Sequence, residues 1–207
     1  GFVRRAGSRI FHNEVGLRFF QTRTLGLNRF ARDISPHLIS EYVLLPDGKT
    51  ENKILRPELR IEFQDSGVLT LDYSQNYEHL TRSFTAGGFI IRTGDYRSNE
   101  VELSYSSDIS KPYGASASIL DGDYYGGSIQ TYSLGGRFSP GYRFSTSLDY
   151  DRNHVTLPQG SFSTNLVGVH VGYTFSDRMS LNSFIQYNSD NHQISSNIRF
   201  RFIHHPL

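Results

Sequence analysis

The chain has 207 residues and a formal charge of +1, from 21 Lys+Arg against 20 Asp+Glu, so no basic excess points to a nucleic-acid partner. It holds no Cys, which excludes disulfides, thiolate metal sites and Cys nucleophiles. Hydrophobic residues make up 37%, and this share is weighted to 13 Tyr and 15 Phe, a wealth of aromatics that a disordered chain lacks.

The opening GFVRR has neither Met nor a following apolar stretch, so no signal peptide is read in it. The richest apolar patches, Val43-Leu44-Leu45 and Phe89-Ile90-Ile91, are far short of the ~20 residues of a membrane-spanning helix.

Period-two alternation recurs from there to the end. Leu59, Ile61 and Phe63 alternate with Arg60, Glu62 and Gln64, and Leu69, Leu71 and Tyr73 with Thr70 and Asp72. Val101, Leu103 and Tyr105 alternate with Glu102 and Ser104. Tyr132, Leu134 and Phe138 oppose Thr131, Ser133 and Arg137, and Tyr142, Phe144, Leu148 and Tyr150 oppose Arg143, Ser145, Ser147, Asp149 and Asp151. Val169, Val171, Tyr173 and Phe175 oppose His170, Gly172 and Thr174; Leu181, Ile185 and Tyr187 oppose Asn182, Gln186 and Asn188. Near the end Ile194, Ile198, Phe200 and Phe202 oppose Ser195, Asn197, Arg199 and Arg201. Such segments predict half-buried strands, about 10–12 in all, near the ~9–11 residues of a tilted bilayer-crossing strand.

Gln64 to Gly67, Ser139-Pro140-Gly141 and Ser176-Asp177-Arg178 read as tight turns. Longer links are predicted at 46–52, about 77–97, 121–128 and 153–161, with Ser189-Asp190-Asn191 short where a long one is due. Tight and long connections in alternation are the rhythm of an outer-membrane barrel, with tight turns on the periplasmic side. Strand number, strand length and this rhythm together favour an all-β antiparallel meander, part of a transmembrane β-barrel, over a soluble all-β binding domain; alternation alone fits both. An odd strand number and the ending His204-His205-Pro206-Leu207 suggest truncation at both ends, with residues 1–207 forming one partial barrel domain.

The faces follow. Arg60, Glu62, Glu102, Arg137, Arg143, Asp149, His170, Arg199 and Arg201 are expected to face a lumen, where mixed charges either select solutes or pair across strands. Tyr142, Phe144, Leu148, Val169, Val171, Tyr173, Phe175, Ile198 and Phe200 are expected to face lipid, so that a charge at Val171 costs more than one at Gly172.

No catalytic, cofactor or metal site is predicted. Asp121-Gly122-Asp123 lacks the later acidic ligand of a calcium loop, and reads as a Gly/Asp-rich loop between strands. His204 and His205 are strand neighbours that point to opposite faces, and no Gly-x-Ser-x-Gly elbow marks a nucleophile. Tyr124-Tyr125 has the aromatic faces to stack on sugars.

The opening GFVRR, the stretch SLDYDRNHVTLPQGSFSTNLVGVHVGYTFSDRMSLNSFIQYNSD and the close ISSNIRFRFIHHPL resemble the C-terminal region of domain of unknown function 5916, most strongly over 141–207. The family comprises bacterial proteins, common in Bacteroidota, with a family-9-like carbohydrate-binding module ahead of a predicted outer-membrane barrel. The resemblance implies a bacterial outer-membrane location, lipid as partner and carbohydrate as a partner of the upstream module. It supplies no reaction, and a hydrolase with its site at the barrel mouth or in an N-terminal part is the enzymatic alternative.

Overall fold

A computed structural model describes residues 7–20 and 30–204; the opening GFVRR and His205 to Leu207 lie outside the described residues, as do the expectations placed on them. The strands are β1 (Arg9–Gly16), β2 (Phe19–Phe20), β3 (Ala31–Leu44), β4 (Thr50–Phe63), β5 (Val68–Leu80), β6 (Phe84–Ala86), β7 (Phe89–Ile91), β8 (Gly94–Ser106), β9 (Tyr113–Tyr124), β10 (Gly127–Gly141), β11 (Phe144–Leu157), β12 (Gly160–Ser176), β13 (Met179–Asn188) and β14 (Gln193–Phe202). All but β6 and β7 form one 12-stranded sheet, an antiparallel meander in which β2 continues beside β3 where β1 leaves it. The order runs from β1 to β14, and these two edges do not pair among the described residues.

The register turns the sequence alternation into rows. Leu59 faces Leu71, Leu71 faces Leu103, Leu103 faces Ile119 and Ile119 faces Tyr132, one apolar row across five strands. Such cross-strand pairs contribute about 0.2–1 kcal/mol each relative to alanines. A one-residue slip would throw every member to the opposite face, so register and burial specify each other.

In β8 the even residues from Gly94 to Ser106 are half-buried and the odd ones from Asp95 to Tyr105 exposed. Closely spaced side chains on the concave side of a curled sheet shelter one another, whereas those on the convex side splay apart. The even set of β8 therefore marks the inner face, and register carries that assignment to the other strands of the 12-stranded sheet. Large hydrophobics exposed on the outer face include Leu71, Leu103, Leu134, Leu148, Ile185 and Ile198.

The connections depart from the predicted rhythm. Residues 121–128 and 153–161 are strand ends joined by the two-residue turns Tyr125-Gly126 and Pro158-Gln159. The alternation continues through Asp121, Gly122, Asp123 and Tyr124, which a Gly/Asp-rich composition had hidden. The 46–52 link contracts to a turn at 45–49, closed by the Leu45 amide donating to the Lys49 carbonyl at 2.8 Å. Of the four links predicted to be long, only the one at 77–97 remains so, as 81–93, and it carries the β6–β7 hairpin. The turns at 64–67 and 177–178 form as expected, with the Gly67 amide donating to Asp65 Oδ1 at 3.0 Å.

The third tight turn lies elsewhere. Gly141 pairs with Phe144, so the turn is Tyr142-Arg143, and Ser139-Pro140-Gly141 belongs to β10. A register irregularity between Phe138 and Gly141 absorbs Pro140, which has no amide to donate to a regular ladder.

The main apolar core lies on the inner face, beneath the hairpin. Ile91 of β7 packs with Val155 and Leu157 of β11, all nearly inaccessible, and Phe89, Tyr96, Tyr124, Tyr125, Ile129 and Phe162 surround them. Gly87 and Gly88 turn the hairpin with φ of +54° and +85°, the two positive values of a type I′ turn. A Cβ on Gly87 would sit 2.1 Å from the Phe162 ring, so glycine lets the turn lie against that ring.

Candidate functional site: a charged inner wall and an inward-folded hairpin

Register places Arg60, Glu62, Glu102, Arg137, Asp149, His170, Arg199 and Arg201 on the inner face. Arg143 does not join them. It lies in the turn beside Tyr142, its Nε donating to the Tyr142 hydroxyl at 3.0 Å, and Tyr142 is 80% exposed at the sheet end. Both had been read as wall residues, and the displaced turn is the physical reason for the correction. Phe144, Leu148, Val169, Val171, Tyr173, Phe175, Ile198 and Phe200 all lie on the outer face, with Leu148 opposite Val169 and Phe144 opposite Tyr173.

The inner wall pairs its charges, and it recruits residues that alternation left unmarked. Asp33 is 0% exposed and accepts Arg18 Nη2 at 2.5 Å, Arg18 Nε at 3.1 Å and Ser35 Oγ at 3.0 Å. Glu62, also buried, accepts Arg18 Nη2 at 3.4 Å and pairs with Arg32. A carboxylate this deep is tolerable because cations and hydroxyls replace its lost water. Farther along, His37, Glu58, Asp72 and Glu102 form one inner row across β3, β4, β5 and β8, with Arg56 Nε 3.8 Å from Asp72 Oδ1. Acids thus gather on β3 to β8 while Arg199 and Arg201 stand on β14, an arrangement that sets a field across the interior.

The next rows are hydroxylic: Thr70 faces Ser104, Ser104 faces Ser118, Ser118 faces Ser133, and the Ser133 hydroxyl donates to Asp151 at 2.6 Å. His170 neighbours Phe184, ring centroids 5.6 Å apart, so its wall position is shared with an inward aromatic.

The hairpin covers one end of this polar wall. Beside it Tyr125 adopts φ of +44°, unusual for a bulky residue, and the following Gly126 +85°. Tyr125 is held there by edge-to-face contacts with Phe84, Tyr96 and Tyr124 and by donating its hydroxyl to Glu78 Oε2 at 2.6 Å. Burial, then the bond to Glu78, push the Tyr125 hydroxyl well above the usual phenol range, so it stays a donor at any physiological pH. Asn tolerates this backbone, so Tyr125→Asn should keep the turn while releasing the hairpin. The expected sign is faster proteolysis within 81–93, the rest of the sheet remaining protected.

Asp121 and Asp123 both point outward and engage neighbours: Asp121 accepts Gln130 Nε2 at 2.7 Å, and Asp123 accepts the Asn99 amide at 2.9 Å.

The outer face carries an apolar band edged by aromatics. At the end that carries the turns 64–67, 142–143 and 177–178, Phe63 meets Tyr105, Phe138 meets Phe144, Tyr173 meets Phe175 and Phe175 meets Phe200, with ring centroids 4.8–6.5 Å apart. At the other edge the Tyr73 and Tyr150 hydroxyls donate to Asn99 and Asn165 at 3.1 and 2.9 Å, where the outer face turns polar. Tyr132 to Phe138 in β10 and Phe144 to Tyr150 in β11 connect the two levels, about 20 Å of strand at ~3.3 Å per residue.

No protein-family model matches the chain, and no curated protein matches it. Among solved structures it is similar to OmpT, an outer membrane protein of Vibrio cholerae. The loop L8 deletion mutant superposes with a TM-score of 0.57 and 14% identity, over 83% of this chain and 63% of that one. The in-vitro folded form gives 0.55 and 12%, over 84% and 60%. The chain therefore has the fold of an outer-membrane β-barrel wall and spans about three-fifths of the length of these structures.

Proposed function

We propose that the chain forms part of the wall of a bacterial outer-membrane β-barrel whose interior admits small polar solutes past the inward-folded hairpin. The observation that carries this reading is the outer apolar band, edged by aromatics at both levels and backed by a charged, hydrogen-bonded inner face. Water on the outside would leave these hydrophobics as an exposed patch far larger than a soluble monomer displays. Lipid covers them at no such cost, and aromatic rings favour the two membrane interfaces. The turns at 64–67, 142–143 and 177–178 then lie on the periplasmic side and the hairpin near the outer mouth.

Planar-bilayer recording from the protein that carries this chain tests the solute path. Replacing Phe84–Ile91 by a short flexible link should raise single-channel conductance on the order of twofold, since the hairpin occupies lumen cross-section. Equal conductance with and without the hairpin would refute the narrowing role. The resemblance over 141–207 adds an upstream carbohydrate-binding module, which would hold sugars near the mouth; the precursor sequence tests that directly.

A further inference from the structure

Beside the hairpin, on the inner face, lies a cavity of about 330 Å³ formed by β4, β5, β8 and β9. Four tyrosines contribute to its lining, and three of them cluster, with Tyr96 and Tyr124 each 4.8 Å edge-to-face from Tyr125. Two inward carboxylates join them, and the outward Asp123 contributes at the edge. Glu78 accepts the Tyr125 hydroxyl, and Glu100 Oε1 accepts Asn76 Nδ2 and Ser98 Oγ, both at 3.1 Å. Gly122 faces Glu100 and makes room for it: a Cβ there would come within 2.6 Å of Glu100 Cγ. No Lys, Arg or His lines the cavity.

We infer that this cavity binds an organic cation, a quaternary or primary alkylammonium carried on a small polar molecule. An ammonium gains from the negative faces of aromatic rings and from carboxylates whose hydrogen bonds leave further lone pairs free. With Glu78, Glu100 and Asp123 as acids and no base in the lining, the cavity attracts cations and repels anions before any contact is made. Neutral sugars could stack on tyrosine, but a sugar gives the carboxylates no charge to meet. The inference rests on the proposed barrel, since the cavity opens to its lumen.

The test compares choline with 3,3-dimethyl-1-butanol, its uncharged carbon counterpart, by calorimetric titration of the full protein folded in detergent micelles. Choline should bind about tenfold or more tightly than the alcohol, and Glu100→Gln with Glu78→Gln should erase that preference. Equal binding of the two probes, no binding of either, or a preference that survives both substitutions would overturn the inference. A neutral oligosaccharide that binds while choline does not would assign the cavity to sugars instead. Resistance of the folded protein to unfolding in dodecyl sulfate before heating is measured in parallel. Retained resistance with no choline preference refutes the cation site alone, whereas lost resistance in the unsubstituted protein strikes at the barrel.

Discussion

Arg18→Met should destabilise the folded sheet by about 3–5 kcal/mol, the cost of leaving a buried carboxylate without its cation. Asp33 is inaccessible to water, and Arg18 supplies two of its hydrogen bonds; Ser35 alone would remain. Met preserves the aliphatic stem, so the loss isolates the guanidinium: its charge, its hydrogen bonds and its place over the Phe20 ring, 4.7 Å from the centroid. Glu62 keeps Arg32, which confines the damage to Asp33. Removing the carboxylate as well, in Arg18→Met with Asp33→Asn, should recover much of the loss, because the unpaired charge rather than the missing contact dominates it. Urea unfolding midpoints in lipid vesicles read the difference. A single substitution as mild as the double one would show that water reaches Asp33 and that the pair is not buried.

Ile185→Arg and Gln186→Arg, adjacent on β13 but on opposite faces, should differ by about 2–4 kcal/mol in bilayer-folded protein if Ile185 lies near the midplane. Ile185 faces Val169 across β12 within the apolar band. Gln186 faces Gly168 and Ser195 on the inner side, where a long cation finds space and polar company. Gly172 is a poorer inner control than its alternation suggests, because a Cβ there would meet Ser145 Oγ at 2.8 Å. The same pair of substitutions in detergent should differ less than in a bilayer, since a micelle deforms more readily around an exposed guanidinium.

The face of each strand was legible wherever alternation was unbroken. Val169 to Phe175 against His170 to Thr174 needed only the period of two, and the structure distributes them across β12 in that way. Composition misled at the strand ends. Asp121 to Tyr124 and Asn153 to Leu157 have polar or glycine-rich character, yet strands that extend past an apolar band meet water and carry such residues as readily as loops do. Pro57 interrupts the pattern from Ile54 to Phe63, so the inward residues Arg56 and Glu58 went unmarked although they continue the parity of Arg60 and Glu62.

The interior was legible only in part. Asp33 carries no local sign of complete burial, since its partner Arg18 and the facing Glu62 are brought in by pairing of β2, β3 and β4. Likewise, Phe162, Val155 and Leu157 share the parity of inner polar residues. They become a core because the hairpin at 84–91 folds back onto them, a long-range event that no period encodes. Tyr142 and Arg143 show the complementary failure, in which an irregular Pro140 moved a turn by two residues and took both out of the wall.

The chain has no Trp, so a single introduced indole reports one position without background. The decisive series places it along β12 in bilayer-folded protein: Val167→Trp, Val169→Trp, Val171→Trp and Tyr173→Trp on the outer face, and Leu166→Trp, His170→Trp and Thr174→Trp on the inner. Brominated lipid should quench the four outer indoles strongly and the three inner ones weakly, with aqueous acrylamide giving the reverse order. Quenching by acrylamide at all seven positions, with no period of two against brominated lipid, would contradict a lipid-facing outer wall.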